Sequence, residues 1–384
     1  MGLIKDKIFY TYNDVTILPA VSSTICHRNE CNPFNEDNML PLFTAPMNTV
    51  VDERNFLLFE DEKINSILPR TVELGSRIHN STLGGWSAYS LSEFQNVFCD
   101  KKNLIRPTDK MKVLIDVANG HMGCLFDLAK EAKAMYGDDL ILMGGNIANP
   151  ETYAEYAKSG FQYVRCGIGG GCGCLSTSNT GIHMPMASLI DSIYEFKKSI
   201  AQKWECDENT LPKIIADGGI RNYSDIIKAL ALGADYVMVG SVFAKMIESA
   251  APKTWNGVDH NIRVPSSMPM ATKFSDFTDI RQTENGTWEG KLNGNRVFLG
   301  SVKAVFYGMA SREGQIALNG SKTKTSEGLK KTLDVEYSMK TWVENFTDYL
   351  RSAMSYTNSA TLNQFKEQAN VIINSQNAVN AVNK

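Results

Sequence analysis

The 384-residue chain is 43% hydrophobic and 21% charged, the profile of a soluble globular protein with room for one large domain or two ordinary ones. Its net charge of −3 excludes a general electrostatic attraction to nucleic acid or to anionic membrane. No apolar run approaches the roughly 20 residues of a bilayer span and residues 1–7 lack a signal-peptide core, so a cytoplasmic protein without membrane or nucleic-acid partners is expected.

Short runs of strand type occur at residues 42–45, 65–68, 113–117, 140–143, 163–166, 214–216, 236–239 and 304–307. Several are continuously apolar rather than alternating, as expected for a parallel sheet covered on both faces. Helical patterns lie between most of them. Phe126, Leu128, Ala129, Ala132 and Met135 make one apolar face; Asn149 and Pro150 form a start signal. A further helix begins at Ser224-Asp225, carries Ile226, Ile227, Leu230 and Leu232, and stops at Gly233.

Eight strands with intervening helices predict an α/β fold, the (β/α)8 TIM barrel, as one catalytic unit over residues 1–355. A doubly wound sheet is the alternative, but the dinucleotide fingerprint fails: Cys172 stands at its third glycine and no helix follows at once. Residues 251–300 interrupt the last unit and predict an inserted lobe or hairpin before strand eight. Residues 356–384, rich in Asn and Gln, predict a C-terminal tail, either weakly ordered or docked on a neighbour. The residues after barrel strands converge on one face. At such positions stand Asn48, Asn119-Gly120, the loop from Gly167, Asp217-Gly218-Gly219, Gly240-Ser241 and Gly308-Met309, the last after the expected eighth strand.

The loop Gly167-Ile168-Gly169-Gly170-Gly171-Cys172-Gly173-Cys174-Leu175-Ser176 carries the most information. Its glycines permit sharp bends and close backbone approach to a ligand, and a thiol displayed there is a candidate nucleophile. Eight cysteines in a reducing compartment should be thiols, and Cys166, Cys172 and Cys174 lack the paired spacing of structural zinc. The glycine turns Asp217-Gly218-Gly219 and Gly240-Ser241 expose backbone N–H groups suited to phosphate. Asp217, unsuited to phosphate, can accept from the two hydroxyls of a ribose. Phosphate plus ribose implies a nucleotide.

Asp14-Val15 with Pro19, Ala45-Pro46-Met47-Asn48-Thr49-Val50, Asp116-Val117-Ala118-Asn119-Gly120, Gly144-Gly145-Asn146, the cysteine loop, Ala216-Asp217-Gly218-Gly219-Ile220, the run from Gly233 to Gly240 and Tyr307-Gly308-Met309 follow in that order. Together they resemble the IMP dehydrogenase/GMP reductase family over about residues 8–355. The resemblance implies a TIM barrel, a homotetramer and a cysteine that attacks C2 of a purine. Three features resemble the reductase branch: the form of residues 116–120, the short interval from Thr71 to Asp116, and Ser326-Glu327-Gly328 in place of an Arg-Tyr flap.

By that resemblance Cys174 attacks GMP, Glu327 with Ser176 protonates the departing amine, and NADPH reduces C2 to give IMP. Ala45, Met47, Cys172, Asp217, Gly218, Gly219, Gly240, Ser241, Gly308, Met309 and Ala310 would bind the nucleotide. Asp116, Asn119, Gly120 and Arg70 would bind the cofactor. A monovalent cation such as K+ is implied on Gly167, Gly169 and Cys174. The chain departs from its relatives at Gly170, where they have proline, at Cys172 for a phosphate-binding serine, at Ser176 for threonine and at Asn48 for aspartate. Pro69-Arg70 stands in place of His-Lys. These changes suggest a divergent enzyme, for which dGMP or a modified purine nucleotide is an alternative substrate; Cys172 is the rival nucleophile. An IMP dehydrogenase with an unusual flap and a non-catalytic nucleotide-binding barrel are the remaining alternatives.

Overall fold

The structure, a computed structural model, describes residues 8–102, 104–171, 175–255, 274–320, 325–375 and 378, with only the backbone of Ser176 and Ser275. Eight parallel strands form the barrel: β1 (Leu42–Thr44), β2 (Ile67–Leu68), β3 (Trp86–Tyr89), β4 (Met111–Asp116), β5 (Leu140–Ile147), β6 (Tyr163–Cys166), β7 (Lys213–Asp217) and β8 (Tyr236–Val239). Each pairs with its neighbour in chain order, β8 returns to β1 with Phe43 opposite Met238, and a bridge from Phe43 to Asn65 closes the ring. Side chains alternate between the two faces of a strand. Phe43, Trp86, Leu114, Met143, Ile215 and Met238 therefore fill the interior, while Val113, Ile115, Val164 and Ile214 pack outward under the helices.

The helix signals hold. Gly123–Tyr136 buries Phe126, Ala129 and Ala132, with Leu128 and Met135 packed at its margin. Asn149 caps the turn that begins at Pro150. Tyr223–Ala231 is capped by Asn222, whose Oδ1 accepts from Asp225 N–H at 3.1 Å, and it buries Ile226, Ile227 and Leu230.

One strand assignment is corrected. Val302–Tyr307 lies outside the barrel, between Lys253–Trp255 and Lys330–Asp334 in an antiparallel sheet. Its burial alternates: Val302, Ala304 and Phe306 are covered and Lys303 is exposed. That pattern belongs to a sheet with one covered face; β8, by contrast, is buried at every residue. The missing barrel strand is Trp86–Tyr89, whose sequence Trp-Ser-Ala-Tyr is a weak apolar signal. Its Ser87 is buried and accepts from Asn80 Nδ2 at 3.0 Å. Every later barrel strand moves up one place, so the inserted lobe follows β8 instead of preceding it. Within that lobe Thr278–Gln282, Trp288–Leu292 and Asn295–Gly300 form a second antiparallel sheet, packed through Phe277, Trp288 and Leu299 onto Val302 and Val335.

The C-terminal segment, expected to be weakly ordered or docked on a neighbour, forms regular structure in its described part. Leu362–Gln368 is a helix that buries Phe365, and Asn370–Ile373 pairs antiparallel with Val15–Leu18. It docks on its own barrel. No helix among the described residues is long and apolar enough to cross a membrane.

Candidate active site at the barrel mouth

Parity along three strands sets the centre of the site. Leu114, Tyr163 and Ile215 face the barrel interior, so Asp116, Arg165 and Asp217, two residues further on, face the same way at the C-terminal end. Arg165 Nη1 donates to Asp116 Oδ1 at 2.7 Å; Nη2 and Nε donate to Asp217 Oδ2 at 2.8 and 3.2 Å. The arginine is only 7% exposed. Burial alone would lower its affinity for a proton, but Asp217 and Asp116 hold the guanidinium above its ordinary range. Gly145 lies level with both Asp116 and Arg165; a Cβ there would sit 2.6 Å from Arg165 Cβ, on a backbone with φ of +144°. Glycine is therefore required for the Arg165 main chain and Cβ to lie this close. Asn146 Nδ2 donates to Asp217 Oδ2 at 2.7 Å and to Gly167 O at 2.8 Å. Asp217 is thus held at Oδ2 by three donors from two residues, Arg165 and Asn146, while Oδ1 faces the other way.

Sequence reasoning singled out Asp116 and Asp217 but missed Arg165 as their link. The signal was present: a charged residue at an inward position of an otherwise apolar, aromatic strand requires a partner.

The cysteine loop is described up to Gly171 and again from Leu175. Cys172 and Cys174, expected as binding and attacking thiols, lie outside the described residues, as does the Ser176 side chain. What surrounds them is explicit. Gly167 (φ +141°) passes so close to Asp217 that a Cβ would meet the Asp217 carbonyl oxygen at 2.0 Å. His183 Nδ1 donates to Ile168 O at 2.7 Å, since a carbonyl can only accept. Beyond the cysteines, Leu175 N–H donates to Glu327 O at 2.8 Å, and Glu327 N–H donates to Ala310 O at 3.0 Å. Leu175, Glu327 and Ala310 are thus joined through their backbones, and Gly308-Met309-Ala310 arrives from the accessory sheet and not from a barrel strand.

The proposed phosphate turns follow β7 and β8, the pair of loops that most often holds phosphate in this fold. One amide is already engaged: Gly219 N–H donates to Gly170 O at 2.8 Å, so it is not free for phosphate in this conformation. Gly240 opens beside the β1 loop, where an added Cβ would lie 3.5 Å from Ala45 Cβ and Met47 Sδ. Ser241 starts the short turn that follows. Asn48 Nδ2 donates to Tyr307 Oη at 3.1 Å and Thr49 Oγ1 to Tyr307 O at 3.3 Å, which fastens the β1 loop to the strand leading into Gly308.

On the β4 side, Arg70 Nη1 reaches Asp116 O at 3.4 Å and its Nε is buried without a partner. Asn119 is exposed and accepts from His121 N–H at 3.1 Å. Gly120 is wedged against the next loop; a Cβ would lie 2.6 Å from Tyr156 Oη and 2.8 Å from Asn146 O. His121 Nε2 accepts from Ala148 N–H at 3.2 Å, so Nδ1 carries the proton donated to Thr152 Oγ1. Burial lowers its basicity, in keeping with a neutral imidazole. Asp116, the exposed amide of Asn119 and Arg70, with its buried unpartnered Nε, thus gather on this side of the mouth. Gly167 O, expected as a cation ligand, already accepts from Asn146. Among the described residues no group of three His, Cys, Asp or Glu could hold a metal ion.

Comparison with known proteins follows the same residues. The sequence profile of the IMP dehydrogenase / GMP reductase domain matches residues 100–272. The chain is 30% identical over 254 residues to an inosine-5'-monophosphate dehydrogenase of Borreliella burgdorferi, a match covering 66% of this chain and 52% of that enzyme. It therefore spans about half the length of that relative. It is 28% identical over 256 residues to a GMP reductase of Streptococcus equi subsp. zooepidemicus, covering 64% of this chain and 73% of the reductase. A dehydrogenase of Chlorobaculum tepidum is 39% identical over a shorter stretch of 137 residues, 36% of this chain and 26% of that enzyme.

Proposed function

Because the chain belongs to the IMP dehydrogenase/GMP reductase family, we propose that it is an NADPH-dependent reductase that converts GMP, or a related purine nucleotide such as dGMP, to IMP and ammonia. The observation that carries this reading is the hydrogen bond from Leu175 to the Glu327 backbone. It brings the residue next to Cys174 against Ser326-Glu327-Gly328, the segment that stands where a dehydrogenase carries its Arg-Tyr pair.

In this reading the Cys174 thiolate adds to C2 of the purine and later leaves as thiolate, which suits sulfur to both steps. Glu327, with Ser176, protonates the 2-amino group so that ammonia and not an amide anion departs. Asp217, aligned by Arg165 and Asn146, accepts from the ribose hydroxyls and fixes C2 over the thiol. Gly218, Gly240 and Ser241 supply phosphate donors; Ala45, Met47 and Met309 line the base. Asp116, Asn119, Gly120 and Arg70 would hold the reduced nicotinamide, which when bound supplies a hydride. No step depends on a cation at Gly167. The same reading takes the protein to be a cytoplasmic homotetramer.

The 30% identity to a dehydrogenase favours a second reading, oxidation of IMP with NAD+. Purified protein mixed with GMP and NADPH should lose the reduced-nicotinamide absorbance and release one ammonia per turnover. Absorbance gained instead with IMP and NAD+ would replace the reductase reading by the dehydrogenase one.

A further inference from the structure

The loop after β4, residues 117–122, is tied to the loop after β5 at two levels. At its base Gly120 N–H donates to Asn146 O at 2.9 Å and Asn146 N–H donates to Val117 O at 3.2 Å. Further out the tie is a side chain. The half-buried ring of His121 accepts from Ala148 N–H through Nε2 and donates from Nδ1 to Thr152 Oγ1 at 2.9 Å. The main chain of the same residue donates to Asn119 Oδ1 at 3.1 Å. The ring that anchors residue 121 therefore also sets the amide of Asn119.

Only the neutral imidazole can make this tie, since it offers one donor and one acceptor and both are used. Protonation would turn Nε2 into a donor facing the Ala148 N–H at 3.2 Å, and the bond would break. The loops and following helices around the ring carry Asp116, Asp127, Glu151 and Glu155. None forms an ion pair with it; Asp116 is paired with Arg165 and Glu155 with Lys158. Loss of solvent alone lowers its basicity. We propose that neutral His121 is a positioning residue, which holds Asn119 and Gly120 in the arrangement that receives the reduced nicotinamide, and that its protonation releases them. The ligand is that of the reductase reading, on which this role rests; the tie itself is independent of it. A base whose folded value is lowered keeps such a tie above about pH 6.5 and loses it as the pH falls further.

His121→Gln tests this, because the glutamine Oε1 can accept from Ala148 N–H and does not titrate; His121→Leu can do neither job. In initial rates with GMP, the parent KM for NADPH should rise about fivefold relative to that of His121→Gln between about pH 7.5 and pH 5.5, the worth of one hydrogen bond. The comparison removes any titration of NADPH itself. KM for GMP should stay within about twofold, and His121→Leu should show the raised KM for NADPH at both ends of the range. Amide exchange of the peptide holding Ala148, corrected for pH, should speed up over the same interval in the parent and not in His121→Gln. NADPH oxidation with no such difference in KM would overturn the positioning role, and unchanged exchange in the parent would overturn the tie. Absence of NADPH oxidation at every pH would remove the reductase reading and this role with it, while the exchange measurement would still decide the tie.

Discussion

Arg165→Met removes the guanidinium that joins Asp116 to Asp217 and leaves two largely covered carboxylates facing each other across the barrel mouth. Both ion pairs are short, 2.7 and 2.8 Å, and the arginine side chain is 9% exposed against 18% for each aspartate. Removing one partner of a covered ion pair typically costs about 3–5 kcal/mol, because the remaining charge keeps its desolvation penalty without its attraction. Both aspartates retain some solvent and Asp217 retains Asn146, so the lower end, about 3 kcal/mol, is expected. Arg165→Lys keeps the charge but lacks a fork that can bridge two acids, and should lose about half as much. Arg165→Met/Asp217→Asn should recover much of the single loss. Urea unfolding followed by tryptophan fluorescence measures all three. A loss below about 1 kcal/mol in Arg165→Met would refute the bridging argument, and so would a double variant no more stable than the single one. Turnover with GMP should fall about 100-fold in Arg165→Met, since Asp217 would no longer be aligned.

Three further outcomes follow from other parts of the fold. Burial alone would raise the Asp235 carboxyl, but Lys197 and Lys366 hold it down to about 2. An acid whose folded value lies below its unfolded one stabilises the fold above pH 4 and loses that contribution between about pH 4 and pH 2, here about 2 kcal/mol; Lys366→Met should move the acid-unfolding midpoint upward. Gly120→Ala would drive a methyl against Asn146 O and Tyr156 Oη, at an expected cost of about 1–3 kcal/mol. It should raise KM for the reduced nicotinamide more than for GMP, read from initial rates. Glu327→Gln should lower kcat by about 10²–10⁴-fold, the usual worth of a general acid, and leave GMP binding within about threefold, read by calorimetry.

Most of the barrel was legible because its strands advertise themselves as apolar runs ending in glycine turns. β8 reads Tyr-Val-Met-Val and ends at Gly240, with no competing pattern nearby. Trp86–Tyr89 escaped because a strand of four residues with serine and alanine at its centre is stabilised by its neighbours and not by its own composition. Residues 304–307 read as a barrel strand because Ala-Val-Phe-Tyr is a continuous apolar run, and Lys303, which marks the solvent face of the longer strand, stands just before it. The aspartates of the site were legible from their places after strands. Arg165 was not, since its role depends on which strands lie side by side, and Gly219 was read as a free donor because the approach of Gly170 is a contact between distant loops. The C-terminal residues looked loose by composition; Phe365 and Lys366, two residues in a polar stretch, anchor them.

The central claim is that sulfur of Cys174 bonds to the purine carbon that bears the amine. Acid quenching of the protein with GMP in the absence of reduced nicotinamide, followed by peptide mass spectrometry, tests it directly. The peptide holding residue 174 should gain the mass of GMP less ammonia, in the parent and in Cys172→Ala but not in Cys174→Ala. An adduct on Cys172, or full turnover by Cys174→Ala, would contradict the account.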